Sequence, residues 1–209
     1  MIYESPLPDG PIRQGDMFFG LPRIDVALNH LAVYNRDGTR EALSWSAILE
    51  NGEPTDIIVS VKPVTAIVIS QDCDTEREPH ISLCEIREFT EVYPPSKGAA
   101  KPDKWINLIT QHSRKNQKWF YLPEDRKHGL HTRMGVDFFL TMRVSLQDLR
   151  DYLHLRRARL NETAKAHFRE RIAEFFRRYP YDEWYPLNQA EFAAYRGKYP
   201  DAVPFSWQQ

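Results

Sequence analysis

Lys62-Pro63-Val64-Thr65-Ala66-Ile67-Val68-Ile69-Ser70 is the stretch on which the fold turns. From Val64 onward it is a short, nearly continuous apolar run rich in β-branched residues, the composition of a strand, and Lys62-Pro63 separates it from a second such run, Ile57 to Val61. Proline cannot donate to a ladder, so Pro63 belongs at a strand start or edge. Downstream, Ile81 to Ile86 alternates apolar with polar or small groups. Upstream, Leu31 to Tyr34 is a short apolar run ended by the turn residues Asp37-Gly38, and Asp16 to Gly20 follows a turn at Gly15. Several short strands punctuated by turns predict a small antiparallel barrel or sandwich over residues 1–92.

Tyr93 to Asp103, with three prolines, reads as a loop. Residues 104–209 then read as an α/β extension packed on the first region as one unit, which makes the whole chain α+β. Trp105 to Ser113 has the spacing of a short helix, and Lys118 to Leu122 and Val136 to Arg143 read as strands. Asn161 is an N-cap for the clearest helix, Glu162 to Tyr179, on which Ala164, Phe168, Ile172, Phe175, Phe176 and Tyr179 form an apolar stripe ended by Pro180. The stripe is core if covered, or a partner site if exposed. A last helix is expected at Asn188 to Tyr195.

The chain has 209 residues, 42% hydrophobic and 27% charged, with 28 Lys+Arg against 29 Asp+Glu. This is long enough to bury a core, and it excludes both a disordered chain and a strongly basic nucleic-acid coat protein. Two cysteines, an N-terminus without a signal-like apolar segment and no apolar run near ~20 residues lead us to expect a cytoplasmic protein with free thiols and no membrane span. Charge is uneven locally. Asp72 to Glu91 holds seven acids and two bases, Arg150 to Arg178 nine bases and four acids. The two segments face each other, or the basic one binds a polyanion, or it is a solvated helix face.

One segment carries a chemical pattern: Asp72-Cys73-Asp74-Thr75-Glu76-Arg77-Glu78-Pro79-His80. If extended, it places alternate acids on one side with His80, and Asp72, Asp74 and His80 become candidate ligands for a divalent metal such as Mg²⁺, the one cofactor the chain suggests. Cys73 beside two acids is a poor nucleophile and is expected to be a small buried residue at a strand end. His128 and His131 form an isolated H-x-x-H pair. Arg114, Lys115 and Lys118 interleave with Trp119, Phe120 and Tyr121 as a single-stranded nucleic-acid groove requires, and Arg156, Arg157 and Arg159 of the basic segment are further nucleic-acid candidates.

Pro11-Ile12-Arg13-Gln14-Gly15-Asp16-Met17-Phe18, then Lys62 to Ser70, then Ile81-Ser82-Leu83-Cys84-Glu85-Ile86, resembles the MazF/PemK toxin pattern over residues 11 to 90. The resemblance implies an SH3-like barrel, usually dimeric, often a ribonuclease acting on single-stranded RNA without metal. Lys62 stands where that family has an RNA-contacting arginine, and Glu85-Ile86-Arg87 where it has a threonine. Two functions follow. In the first, the barrel is a non-catalytic module binding nucleic acid or a protein partner in a prokaryotic regulatory or defence system. In the second, it is a nuclease with Lys62 and Arg87 stabilising phosphate and Asp72 or Asp74 as general base or metal ligand.

Overall fold

The computed structural model describes residues 2–35, 37–88, 118–177, 189–201 and 203. They fall into two compact units, 1–175 and 176–209. The first is α+β and is dominated by antiparallel sheet. Its larger sheet has seven strands: β1 (Tyr3–Glu4), β2 (Asp16–Ile24), β6 (Val61–Val68), β7 (His80–Glu88), β8 (Trp119–Leu122), β9 (Met134–Ser145) and β10 (Arg156–Leu160). Their order is β1-β10-β2-β6-β7-β9-β8, so strands from both halves of the chain share one sheet. A smaller sheet, ordered β4-β3-β5, joins β3 (Leu31–Tyr34), β4 (Arg40–Leu43) and β5 (Ile57–Ile58). Between β4 and β5 lies helix α1 (Trp45–Asn51), capped by the Ser44 side chain.

From Val64 onward β6 is central and buried on both faces, which is why that part of its sequence is a nearly continuous apolar run. Ala66 and Val68 pack with Phe18, Ile81 and Leu83 on one face, covered by Leu146 and Leu149 of α3 (Leu146–Asp151). Ile67 packs with Met17, Cys84 and Ile86 on the other, in a core that also takes Tyr3, Leu122, Val136, Phe138 and Leu160. Every strand of the large sheet contributes to this second core. Pro63 lies opposite Pro22, where β6 has β2 on one side and its pairing with β7 has not begun. Gly15, at φ 90°, donates to Val68 O and accepts from Leu160 N, and a Cβ there would meet Leu160 Cβ at 3.2 Å.

Asn161 caps α4 (Glu162–Phe176), its Oδ1 accepting from Ala164 N at 2.9 Å. The stripe is only partly core. Ala164, Phe168 and Phe175 are buried, but Phe176 is 64% exposed, because one further residue rotates the side chain about 100° off the buried line. The helix ends at Phe176, not Tyr179. In the second unit, α5 spans Gln189–Lys198 and runs past the expected end at Tyr195, while Asn188 lies outside the described residues. The loop at 93–103 and the helix at 105–113 lie outside the described residues, as does Tyr179. Among the described residues, no helix is long and apolar enough to cross a membrane.

Candidate functional site

The acidic segment does not fold as an extended strand. Asp74–Arg77 form a one-turn helix, α2, so successive side chains step by about 100° instead of alternating, and the acids disperse. His80 is exposed at the start of β7, paired with Ser145. Among the described residues no three His, Cys, Asp or Glu are grouped to hold a metal ion, so Asp72, Asp74 and His80 are not brought together as a ligand set.

Asp72 is instead a structural tie. It accepts from Gln14 N at 2.8 Å and from Arg169 Nη2 at 3.1 Å, with Lys165 Nζ at 3.5 Å, and Arg169 Nε also reaches Gln14 Oε1 at 2.5 Å. Burial works to raise its pKa. The Gln14 N–H and the charges of Lys165 and Arg169 outweigh burial and hold the carboxyl below its ordinary value. The acidic and basic segments of the chain therefore do meet, at this residue. Cys73 is exposed, contrary to expectation, because the α2 turn lifts it off the strand end. Cys84 is the buried cysteine, its thiol pushed up to about 12 by burial and then by the Asp137 charge, so it is inert at neutral pH.

Of the four expected nucleic-acid cations among the described residues, two are engaged inside the protein. The Arg156 side chain is 1% exposed and makes five hydrogen bonds, to Asp16 Oδ2 and to the carbonyl oxygens of Leu7, Pro8, Gly10 and Pro11. Arg159 pairs with both oxygens of fully buried Asp16. These two are clamps, with no donor directed at a phosphate. Arg157 is exposed, its guanidinium 5.8 Å from the Phe19 ring centre. Lys118 lies 4.8 Å from the ring centre of Trp119, which is itself 1% exposed and so belongs to the core, not to a stacking surface. Arg114 and Lys115 lie outside the described residues.

Lys62 and Asp72 sit at opposite ends of β6. Lys62 and Val68 alone are separated by roughly 20 Å at the rise of a strand, so the two do not form one site. Lys62 is exposed and faces Arg23 across the ladder. Arg87 is placed differently. On β7, Ile81, Leu83 and Glu85 share a face, and Glu85 lies directly opposite Asp137 of β9. Both carboxylates are buried, 3% and 4% exposed. Like charges directly opposite repel. Here cations intervene: Arg23 Nη1 binds Glu85, while Arg87 Nε stands 3.8 Å from Glu85 Oε1 and Nη1 3.8 Å from Asp137 Oδ2. Arg87 Nε is buried and makes no hydrogen bond. The ladder is also irregular here, since Cys84 pairs with Thr141 but Glu85 with Asp137, which bulges β9 between them. Sequence reading missed Glu85, Asp137 and Arg23. The available signal was a charged residue on the apolar phase of β7.

A second concentration of unusual surface lies in residues 24–61. Of fifteen exposed large apolar residues among those described, nine fall there, including Ile24, Leu28, Trp45, Leu49, Ile58 and Val61. The small sheet and α1 bury only Leu31, Val33 and Ile48 with Leu43 against them, so most of the apolar side chains of this region face outward. The chain matches no known family model, and no curated protein matches its sequence.

Proposed function

We propose that this chain is an interaction module that docks a protein partner through residues 24–61, and that the Asp72–His80 loop has no catalytic part in it. The observation that carries this reading is the concentration of nine exposed large apolar residues in that region. Docking a protein favours such side chains, whereas a nucleic-acid face needs free cations, and Arg156 and Arg159 are consumed by Asp16 and backbone carbonyls. The experiment compares partners retained from extract of the source cells by the wild-type chain and by a Trp45→Ala/Leu49→Glu variant of equal thermal stability. A protein retained by the first and lost by the second is the expected result. No difference between them, or salt-sensitive binding of single-stranded RNA unaffected by the variant, defeats the reading.

The large sheet is read here as a partly open barrel of the small SH3-like kind. Two observations support it: Tyr3 Oη on edge strand β1 donates to Pro123 O at 2.7 Å, just past edge strand β8, and all seven strands feed one core. A nuclease is the second reading, with its chemistry moved from Asp72 to Arg87. It is supported by two buried carboxylates beside a guanidinium whose Nε is not hydrogen bonded, the kind of group that can stabilise a developing phosphate charge. Cleavage of single-stranded RNA by the purified chain, lost in Arg87→Ala and Glu85→Gln, is the outcome it requires. Intact RNA with the wild-type chain, with and without Mg²⁺, removes it.

A further inference from the structure

We propose that Ser5 is an activated nucleophile, driven by a serine–histidine–aspartate relay with His128 and Asp125, that takes an acyl group from an ester. The three residues come from segments about 120 positions apart. Ser5 Oγ lies 3.2 Å from His128 Nε2, and His128 Nδ1 lies 3.2 Å from Asp125 Oδ2. Ser5 is exposed and His128 is 3% exposed, which puts the nucleophile at the surface and the base behind it. The Nδ1–Asp125 contact is at ion-pair distance but is not aligned as a hydrogen bond, and Nδ1 is otherwise buried without a partner. With the ring proton on Nδ1, beside the carboxylate charge, Nε2 is left to accept from the serine hydroxyl.

Each member is held from outside the relay. Asp125 exchanges backbone hydrogen bonds with Leu130, and its Oδ1 accepts from His128 N, closing the short 3-10 turn Arg126–His128. Gly129, at φ 84°, lets the chain reverse after His128. On the serine side, Tyr3 packs its ring 5.9 Å from the His128 ring and bonds Pro123 O, and Arg156 fixes Leu7 to Pro11 immediately after Ser5. Nucleophile, base and acid are thereby gathered within reach of one another, and a turn of the His128 ring that aligns Nδ1 with Asp125 completes the relay.

The step balances without a cofactor. Ser5 Oγ bonds to the carbonyl carbon as its proton passes to His128 Nε2. The ester C–O bond then breaks and the departing alkoxide takes that proton, leaving Ser5 acylated. Water repeats the sequence and releases the carboxylic acid, so the net reaction is ester plus water to acid plus alcohol. The test uses the full chain with a fluorophosphonate probe, in which Ser5 Oγ displaces fluoride from phosphorus, read by intact mass and peptide mapping. We expect one label, on Ser5, absent in Ser5→Ala and slowed about 10²-fold or more in His128→Gln. Thermal unfolding of each variant separates lost chemistry from lost structure, and exposed Ser5→Ala serves if His128→Gln does not fold. No label on the wild-type chain, label on another residue only, or unchanged labelling in a folded His128→Gln overturns the proposal.

Discussion

Replacing Arg156 by alanine removes a guanidinium that is 1% exposed and that bonds a fully buried carboxylate and four carbonyl oxygens of residues 7–11. Arg159 and Arg13 N still contact Asp16, Arg159 Nη2 still reaches Pro11 O and Gly10 N still reaches Leu7 O, so the loss falls on the carbonyls of Pro8 and Gly10 and on half of the Asp16 pairing. Breaking a buried pair from one side costs about 3–5 kcal/mol. For a unit of this size that is a fall in Tm of about 6–20 °C, at about 2–4 °C per kcal/mol. Arg156→Lys should recover little, since an ammonium has three donors on one point and cannot spread five bonds over these acceptors. The assay is urea unfolding of wild type, Arg156→Ala, Arg156→Lys and Arg157→Ala, the last an exposed control expected within about ±0.5 kcal/mol. If Arg156→Ala lost no more stability than Arg157→Ala, the clamp would be an accident of geometry. If it also weakened nucleic-acid binding in a fully folded protein, the assignment of Arg156 to structure would be wrong.

Adjacent residues of α4 give a sharp contrast. Phe175→Ala, which opens a cavity beside Phe138, should cost about 3–5 kcal/mol, and Phe176→Ala, 64% exposed, about 0.5 kcal/mol or less in the same urea titration. For Asp72, a carboxyl whose folded pKa lies below its unfolded value of about 3.9 adds stability above that value and loses it as pH falls through the folded pKa. The stability gap between wild type and Asp72→Asn should therefore be widest near pH 7 and shrink towards pH 2, and a pH-independent gap contradicts the tie to Lys165 and Arg169. With iodoacetamide, Cys73 should be alkylated in the native protein and Cys84 only after unfolding, which peptide mapping checks.

What was legible from sequence was whatever a single segment decides by its own periodicity. The run from Val64 is a strand buried on both faces and Asn161 caps the helix that follows, while Ile81–Ile86 is a strand as expected but is packed on both faces instead of alternating. The Asp72–Glu78 segment misled because alternating acids look gathered only if the chain is extended, and one helical turn at Asp74–Arg77 was enough to scatter them. Groups made by long-range pairing were invisible. Glu85 meets Asp137 only because β7 pairs with β9 across an irregular register, and Ser5 meets His128 only because edge strand β1 comes round to the segment after β8. Nothing local in either partner announces the other.

The two buried acid clusters differ in how completely their hydrogen bonds are made. Asp16 is surrounded by Arg156, Arg159 and the Arg13 N–H, and Arg156's remaining donors end on carbonyl oxygens. Such a cluster is saturated, and adding a ligand would mean breaking bonds already made. At Glu85 and Asp137 the balance differs: Arg23 is committed to Glu85 and Asp25, but Arg87 stands 3.8 Å from each buried carboxylate with its Nε unbonded. Only the Nε of this partly exposed guanidinium is buried, and an unmade bond there costs about 1–3 kcal/mol. That unmade bond beside a bulged ladder is why the nuclease reading rests on Arg87 and not on the acid-rich loop, and the two buried carboxylates beside it, which oppose an incoming anion, are why that reading stands second.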